Sequence, residues 1–311
     1  MVNVENNNLQ ATIDSVSAGE TIVLMHDIVL TSKVSISKEL TLDLNGYVIS
    51  GDVDDIYGLI YVGTKGALTI IDSSEKQTGG ITNTVSHAIG NYGIVTIYGG
   101  TFTGNYALYN FYGGGVYGTS TIDGGIFKGV EGLAIANSGD LTVSGGVIES
   151  IDTTNVLSVI GGSVKSLNVG VADYAPETQS TSVEGGTITA LTVAEGSTNE
   201  IVVSGGTFLC EVNSNYLADG FKIVYDANTG SCNVVVDNSL KVVATSSARV
   251  GQLPVKNGQL AFVQDTKQIA FDFNNQRVFY SPIGDAVAEA NKYTDDTVAG
   301  AIDDAMTIIE F

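Results

Sequence analysis

The chain has 311 residues and carries 13 Lys and Arg against 34 Asp and Glu, a formal net charge of −21. This charge excludes nucleic-acid binding by counterion release and disfavours an anionic membrane surface. Hydrophobic residues make up 43% of the chain, which is enough for a sizeable core and argues against disorder.

The N-terminus, Met1 to Asn6, has neither a basic segment nor an apolar one, and no run of 18 apolar residues occurs anywhere. We therefore expect no secretory signal and no membrane insertion. We expect synthesis in the bacterial cytoplasm. Either the chain stays there, or it leaves the cell by another route, for instance inside a virus particle.

The first elements in chain order are a short helix and several alternating strands. Leu9–Ile13 predicts a short helix that caps the strands after it. Apolar residues then alternate with polar ones, a period of two that indicates strands with one buried face. These strands are predicted at residues 20–25, 28–30, 34–36 and 40–46.

A glycine pair then recurs along the chain. It begins at residues 79, 99, 124, 145, 161, 185 and 205, a mean spacing of 21. The flanks read apolar–Thr/Ser–apolar–x–Gly-Gly–x–apolar in six copies: Val95–Phe102, Ser120–Phe127, Leu141–Ile148, Leu157–Val164, Thr181–Ile188 and Ile201–Phe208. This pattern predicts two short strands joined at a bend, where glycine supplies an unusual φ or a close backbone approach.

A third strand precedes some copies and ends in Asn91, Asn110 or Asn137. We interpret each of these asparagines as a turn residue, since Asn tolerates left-handed backbone. Three short strands in about 21 residues predict one coil of a parallel β-helix, a solenoid in which stacking buries a continuous apolar column. The predicted fold class is all-β, a single-stranded right-handed parallel β-helix.

The chain also resembles pectate-lyase-like β-helix proteins over about residues 15–210. The stretches that carry the resemblance are Gly19–Leu24, Leu40–Ser50 and the Val-Thr-Ile-x-Gly-Gly-Thr-Phe repeats. Such proteins occur on the surface of gut Gram-positive bacteria and in bacteriophage appendages. The resemblance is specific for the fold and weak for function.

The chain changes character after the repeats. We predict a β-helix over residues 1–210, an irregular β cap over 211–247 and a small β connector over 248–281. Within the connector, the string Leu-Pro-Val-x-x-Gly-Gln-Leu, followed by Val-x-Asp-Thr and Phe-Asp-Phe-x-x-x-Arg, resembles a module of phage fibre and appendage proteins.

Residues 282–311 predict a C-terminal α-helix that begins at Pro282 and repeats every eleven residues, a period typical of a nearly straight bundle. We expect it to join identical chains, with the alternative that it packs on its own chain. The oligomerisation positions are Val287, Ala290, Thr294, Val298, Ala301, Ala305 and Ile309. The string Ala-Asn-Lys-Tyr-Thr-Asp-Asp also resembles coiled segments of phage fibres. The resemblance of the chain to β-helix fibres, which are usually trimeric, implies a homotrimer.

No catalytic constellation is visible in the sequence. A lyase of the resembling family would need a basic residue with acidic Ca²⁺ ligands, yet Arg249 and Arg277 both fall outside the coils. Asp123 and Glu184 precede glycine pairs three coils apart, roughly 14 Å, which is too far for a hydrolase pair. The other carboxylates considered are Asp43, Asp52, Asp54, Asp55, Asp72, Asp140 and Glu149. A site between chains of a trimer stays open.

Histidine and cysteine point to no metal, cofactor or nucleophile. His26 and His87 each lack a second ligand at suitable spacing, so we expect surface or satisfied core histidines. Cys210 and Cys232 lie 22 residues apart, about one coil, and could stack. Free buried thiols are favoured over a disulfide, because no secretory signal is seen.

Aromatic residues concentrate between Tyr92 and Phe127. Several lie in a stretch rich in Asn and Gly, where they should point outward and could bind a glycan. The alternative is an inter-subunit contact or stacking along the helix. The glycan-binding candidates are Tyr106, Tyr109, Asn110, Phe111 and Tyr112.

These patterns predict a non-enzymatic structural virion protein of a tailed phage. It would be a trimeric fibre or spike, held by a capsid or tail protein, that displays a surface for host or glycan attachment. Two alternatives remain: a polysaccharide-degrading tailspike and a bacterial surface adhesin.

Overall fold

A computed structural model of the chain describes residues 2–4, 8–170 and 179–237, and the backbone of four further strands between residues 241 and 280. The chain divides into two compact units, residues 1–217 with 223–234 and residues 218–222 with 235–311. The predicted helix at 282–311 lies outside the described residues, together with its positions Val287, Ala290, Thr294, Val298, Ala301, Ala305 and Ile309.

The first unit begins with helix α1 (Leu9–Ser15), which confirms the predicted N-terminal helix. Asn8 caps it by accepting a hydrogen bond from the Ala11 amide at 3.2 Å. The side chain of Gln10 in turn bonds both the amide and the carbonyl of Ser35, at 2.7 and 3.1 Å. The helix thereby satisfies backbone groups at the open edge of the first coil.

Short strands follow one another through the first unit. In chain order they are β1 (Val2–Val4), β2 (Glu20–Leu24), β3 (Ile28–Leu30), β4 (Val34–Ile36), β5 (Glu39–Asp43), β6 (Val48–Gly51), β7 (Ile60–Val62), β8 (Ala67–Ile71), β9 (Gly80–Asn83), β10 (Ile89–Asn91), β11 (Ile94–Ile97), β12 (Thr101–Gly104), β13 (Leu108–Asn110), β14 (Tyr112–Gly113), β15 (Val116–Tyr117), β16 (Thr119–Ile122), β17 (Ile126–Gly129), β18 (Ile135–Asn137), β19 (Asp140–Val143), β20 (Val147–Thr153), β21 (Val156–Val159), β22 (Ser163–Val169), β23 (Ser180–Val183), β24 (Thr187–Val193), β25 (Glu200–Val203) and β26 (Thr207–Phe208). A 3₁₀ turn (Ser214–Tyr216), β27 (Phe221–Asp226) and β28 (Ser231–Val236) come next.

These strands stack into three parallel faces that recur in every coil. The first face contains β1, β2, β5, β8, β11, β16, β19, β21, β23 and β25. The second contains β3, β6, β9, β12, β17 and the first halves of β20, β22 and β24, and the third contains β4, β7, β10, β13, β18 and the second halves of those three strands. This curled, parallel, many-stranded sheet is consistent with a parallel β-helix, and we call it the solenoid.

Identical interior positions stack from coil to coil along the solenoid. On the second face the register aligns Ile81, Phe102, Phe127 and Ile148, and all four are buried. The rings of Phe102 and Phe127 stack with centroids 5.0 Å apart. Because each coil buries its inner face only against its neighbours, the core is one continuous column.

The bend between the first and second faces explains why glycine occurs in pairs. The second glycine of the pair has positive φ in all six repeat copies, as at Gly146 with +86°. The first glycine lies against the previous coil, since a Cβ on Gly145 would fall 2.1 Å from the carbonyl oxygen of Asp123. The six predicted strand–bend–strand copies are confirmed. The second glycine is needed for its positive φ, and the first, from Gly124 onward, is needed because the backbone of the previous coil lies too close for a side chain.

Antiparallel pairing also occurs in the chain. β14 and β15 form an antiparallel hairpin after β13, and β28 pairs antiparallel with β26. In the second unit, β29 (Lys241–Thr245) runs parallel to β30 (Gln259–Val263). β30, β31 (Gln268–Phe273) and β32 (Gln276–Tyr280) form an antiparallel meander.

Candidate functional site

The third face carries an outward column of side chains at the middle of each strand. Ile60 and Val62 point into the core, so Tyr61 between them points outward. In successive coils the register of this column is Ser35, Tyr61, Gly90, Tyr109, Ala136, Asp152, Asn168 and Thr192. Two tyrosines therefore lie in one column, separated by a glycine.

Six half-buried rings around this column form a contiguous cluster, which we call the aromatic surface. Tyr109 and Phe111 stack with centroids 4.0 Å apart, and Tyr92 stacks on Phe111 at 4.8 Å with the rings nearly parallel. Tyr57 bridges to Tyr61 at 4.9 Å. The members are Tyr57, Tyr61, Tyr92, Tyr106, Tyr109 and Phe111.

Gly90 allows the loop before β7 to close over the third face. A Cβ on Gly90 would lie 2.1 Å from the carbonyl oxygen of Tyr57 and 2.9 Å from the Phe111 ring. Any side chain at this position would therefore displace the Tyr57 backbone and the neighbouring ring. Because Gly90 has no side chain, rings from three consecutive coils can come into contact.

An ion pair borders the aromatic surface. Nζ of Lys33 lies 2.8 Å from Oδ2 of Asp55 and 4.7 Å from the centre of the Tyr57 ring. Burial alone would raise the pKa of Asp55, but hydrogen bonds from Lys33 and the Tyr57 amide, with the Lys33 charge, hold it below its usual value. Lys33 is thus engaged both by a carboxylate and by a ring face.

Among the described residues, the tyrosine hydroxyls of the aromatic surface are left unpaired without being completely buried. In the part of the chain that the structure describes, none of the five has a hydrogen-bond partner, and none is among the buried unpaired polar atoms. Burial raises the pKa of Tyr92 and of Tyr106, with further contributions from neighbouring tyrosines and, at Tyr106, from Asp152. The hydroxyls of Tyr92 and Tyr106 therefore keep their protons at neutral pH and can both donate and accept a hydrogen bond.

His87 lies beside the aromatic surface, with ring centroids 4.9 Å from Tyr109 and 5.5 Å from Tyr106. Its Nδ1 atom is buried and lacks a hydrogen-bond partner within the described residues. Burial lowers the pKa of His87 below the ordinary value of 6.5. His87 is thus a neutral packing ring, neither a surface histidine nor a satisfied core one.

A ladder of amides lies on the inner side of the third face, behind the aromatic surface. Nδ2 of Asn91 donates to Oδ1 of Asn110 at 2.9 Å, and Nδ2 of Asn110 donates to Oδ1 of Asn137 at 2.9 Å. Asn137 continues to the Thr153 hydroxyl at 3.0 Å. Each amide nitrogen also donates to a backbone carbonyl of the first face, so the buried polar groups are satisfied.

This ladder corrects two expectations. Asn91, Asn110 and Asn137 are not left-handed turn residues, because the described non-glycine residues with positive φ are Asn45 and Gln77. Asn110 is completely buried, so it is not part of the surface on which it was placed as a glycan-binding candidate.

The other predicted candidates lie on the outside. Tyr106, Tyr109 and Phe111 belong to the aromatic surface, whereas Tyr112 lies in the β14–β15 hairpin and stacks on Tyr117 at 4.7 Å. The sequence pattern missed Tyr57 and Tyr61. The apolar pair that precedes Tyr61, Leu59-Ile60, matches Ala107-Leu108 before Tyr109 and could have placed both tyrosines in one column.

The carboxylates considered in the coils are dispersed. Asp43 and Asp72 are buried and accept backbone amides, including Gly79 to Asp72 at 2.6 Å. Asp123 bonds the Ser144 hydroxyl and lies three strand steps from Glu184. Glu149 lies 3.8 Å from Lys165, and burial raises the pKa of Asp140. Asp52 and Asp54 are exposed.

Metal-binding and thiol chemistry find little support in the described ranges. There, no three His, Cys, Asp or Glu side chains are grouped so as to hold a metal ion. His26 is half-buried beside the Asp27 carbonyl. Cys210 and Cys232 are free and half-buried rather than buried, and burial raises the pKa of the Cys210 thiol.

Comparison of the chain with protein-family models, curated proteins and solved structures found no match. Over the residues that the structure describes, none of the helices has the length and apolar character needed to cross a membrane. The geometry of the aromatic surface is therefore the basis for assigning a function.

Proposed function

We propose that the chain is a structural, non-enzymatic appendage protein of a tailed phage particle, whose aromatic surface attaches to a host surface glycan. In this proposal the solenoid is a right-handed, pectate-lyase-like β-helix. Three chains form a fibre or spike held by a capsid or tail protein. The observation that carries the proposal is the aromatic surface with its five hydroxyls that are unpaired within the described residues.

Ring faces and hydroxyls together match the chemistry of a sugar. The apolar face of a pyranose packs against an aromatic ring, and its hydroxyls hydrogen-bond to nearby polar groups. Tyr57, Tyr61 and Tyr109 each offer both functions on one side chain. The rings are fixed in place by mutual stacking, so binding orders few new rotamers.

The solenoid is a rigid and soluble scaffold, which suits attachment to a host outside a cell. The buried column and the amide ladder tie each coil to the next along the axis, which gives a rigid base for the rings. The charge of −21 keeps a crowded particle surface soluble. The resemblance of the strings between Leu253 and Arg277, and of Ala290–Asp296, to phage fibre segments is the support for placing the chain on a phage particle.

The first test is binding of the full chain to an array of bacterial surface polysaccharides. The variants Tyr109→Ala and Tyr61→Ala should each weaken binding by about tenfold, which corresponds to about 1.4 kcal/mol. The matched control is Tyr98→Ala, since Tyr98 is 55% exposed but lies at the glycine bend of another face. Equal losses for Tyr98 and Tyr109 would overturn the assignment of the site.

The second test measures mass by light scattering for the full chain and for a chain ending at Ser281. The proposal expects a trimer that dissociates on truncation, and a monomer in both cases contradicts it. Release of reducing ends from a bound polysaccharide would favour the tailspike alternative. Antibody labelling of bacterial cells rather than phage particles would favour the adhesin alternative.

A further inference from the structure

Charged side chains border the aromatic surface. The cation in contact with its rings is Lys33, and Asp55 already neutralises it at 2.8 Å. With about a quarter of its side chain exposed, Lys33 could reach an acidic sugar only by giving up this pair. The ion pair therefore supplies no net positive charge to a ligand.

Negative charge borders the same surface at its other end. Asp152 occupies the outward column two coils beyond Tyr109, and its charge contributes to the raised pKa of Tyr106. The loop that carries Tyr57 also holds the exposed side chains of Asp52 and Asp54. A uronate, sialate or phosphate group placed on the rings would meet like charge from both sides.

The rings are arranged along the solenoid axis rather than around it. Tyr61 and Tyr109 are two strand steps apart in one column, about 10 Å at the spacing of neighbouring strands. Tyr92 and Phe111 run beside that column, following Asn91 and Asn110 in consecutive coils. The surface is thus an elongated strip that follows the coils.

We infer, on the basis of the proposed function, that the aromatic surface takes an uncharged glycan whose chain lies along the solenoid axis. Pyranose faces pack on the rings of successive coils. The tyrosine hydroxyls bond the sugar hydroxyls. The acidic border excludes glycans that carry carboxylate or phosphate.

The test uses neutral and acidic bacterial polysaccharides, with each acidic one also present after chemical reduction of its carboxyl groups. The full chain should be retained on neutral polysaccharides and on carboxyl-reduced ones, but not on their native acidic parents. Preferential retention on the acidic parents would overturn this inference while leaving the proposed function intact. Retention on none of the polysaccharides would overturn the proposed function and this inference with it.

Two charge variants provide a second readout. Asp55→Asn keeps an acceptor for the Tyr57 amide but leaves Lys33 unmatched, so binding to acidic polysaccharides should rise several-fold. Glu184→Gln changes the net charge by the same amount on another face and should leave binding unchanged. An equal response to both variants would show that overall charge, and not this border, sets the preference. A change in solution mass with Tyr61→Ala would instead reveal a contact between chains and overturn the inference.

Discussion

Asn91 and Asn110 lie one coil apart inside the solenoid, and Nδ2 of Asn91 donates a hydrogen bond to Oδ1 of Asn110 across 2.9 Å. Both side chains are completely buried. The outward residues beside them are Gly90 and Tyr109, so the ladder and the aromatic surface share the same strands. Changes to the interior of these coils and changes to the binding surface should therefore be separable by experiment.

Asn110→Ala should destabilise the chain by about 3 kcal/mol, because it removes a buried volume and leaves hydrogen-bonding groups of the ladder unpaired. Urea unfolding measures this cost. The matched control is Asn168→Ala, whose side chain lies on the outer side of the same face, and it should cost less than about 1 kcal/mol. Equal costs would show that the ladder does not stabilise the solenoid.

Gly90→Ala should disrupt the aromatic surface through sterics alone, since the φ of Gly90 is not positive. The added methyl group would overlap the Tyr57 carbonyl, and we expect a loss of about 2 kcal/mol in stability together with weaker glycan binding. Thermal unfolding and polysaccharide binding report the two effects. Gly63→Ala is the control, because its nearest neighbours are at 3.6 Å, and normal behaviour of Gly90→Ala would contradict the close packing.

Replacing a glycine by alanine should cost more stability where the new side chain clashes with a neighbouring coil than where it only strains the backbone. Gly145→Ala should destabilise by ~3 kcal/mol, because the Cβ would lie 2.1 Å from a backbone oxygen of the previous coil. Gly132→Ala should cost only ~1 kcal/mol, since Gly132 has φ of +82° but open space around it. Urea denaturation of both variants measures the difference, and a larger cost at Gly132 would argue against coil-to-coil contact at the bend.

His87 predicts a pH dependence of stability. Burial lowers its pKa in the folded chain, so the unfolded chain binds more protons as the pH falls below 6.5. The stability that His87 contributes is therefore present above that pH and is lost as the pH falls through the folded pKa.

Unfolding measured from neutral to mildly acidic pH should show this loss of stability in the natural sequence. The loss should be smaller in His87→Phe, which keeps a ring against Tyr109. His26→Phe leaves His87 in place and should retain the full loss. A pH dependence that is unchanged in His87→Phe would assign the loss to other groups.

The repeating coils could be predicted from the sequence because the residues that specify each coil lie close together in the chain. Each glycine pair lies between two strands with a period of two, and the six copies match the strands that flank those bends. The second face and the bend were thus predictable from the residues alone. The phage particle, the trimer and the C-terminal helix remain predictions.

The aromatic surface was only partly predictable because it is assembled across coils of unequal length. Tyr57 and Tyr61 come from a coil whose long loop hides their alignment with Tyr109. The role of Asn110 was also hidden, since an asparagine close to a glycine is typical of a turn. Only the register of β10, β13 and β18 shows that the asparagines stack on each other.

The coils differ in length at all three corners. Residues 52–59 lengthen the passage from the second face to the third in one coil, residues 72–79 lengthen the first-to-second corner of the next, and the β14–β15 hairpin lengthens the third-to-first corner of the one after. First-face partners are separated by 28, 27, 25, 21 and 16 residues along the series Leu40, Leu68, Val95, Ser120, Leu141 and Leu157. In the shortest of these coils, β20 runs through the corner between the second and third faces as one strand. In the coils from Gly124 onward the glycine bend is held by carbonyl contacts, which leaves the corner between the second and third faces for evolution and protein engineering to vary. Because Tyr57 and Tyr106 belong to the loops of that corner, exchanging those loops should change the aromatic surface while the stacked interior stays the same.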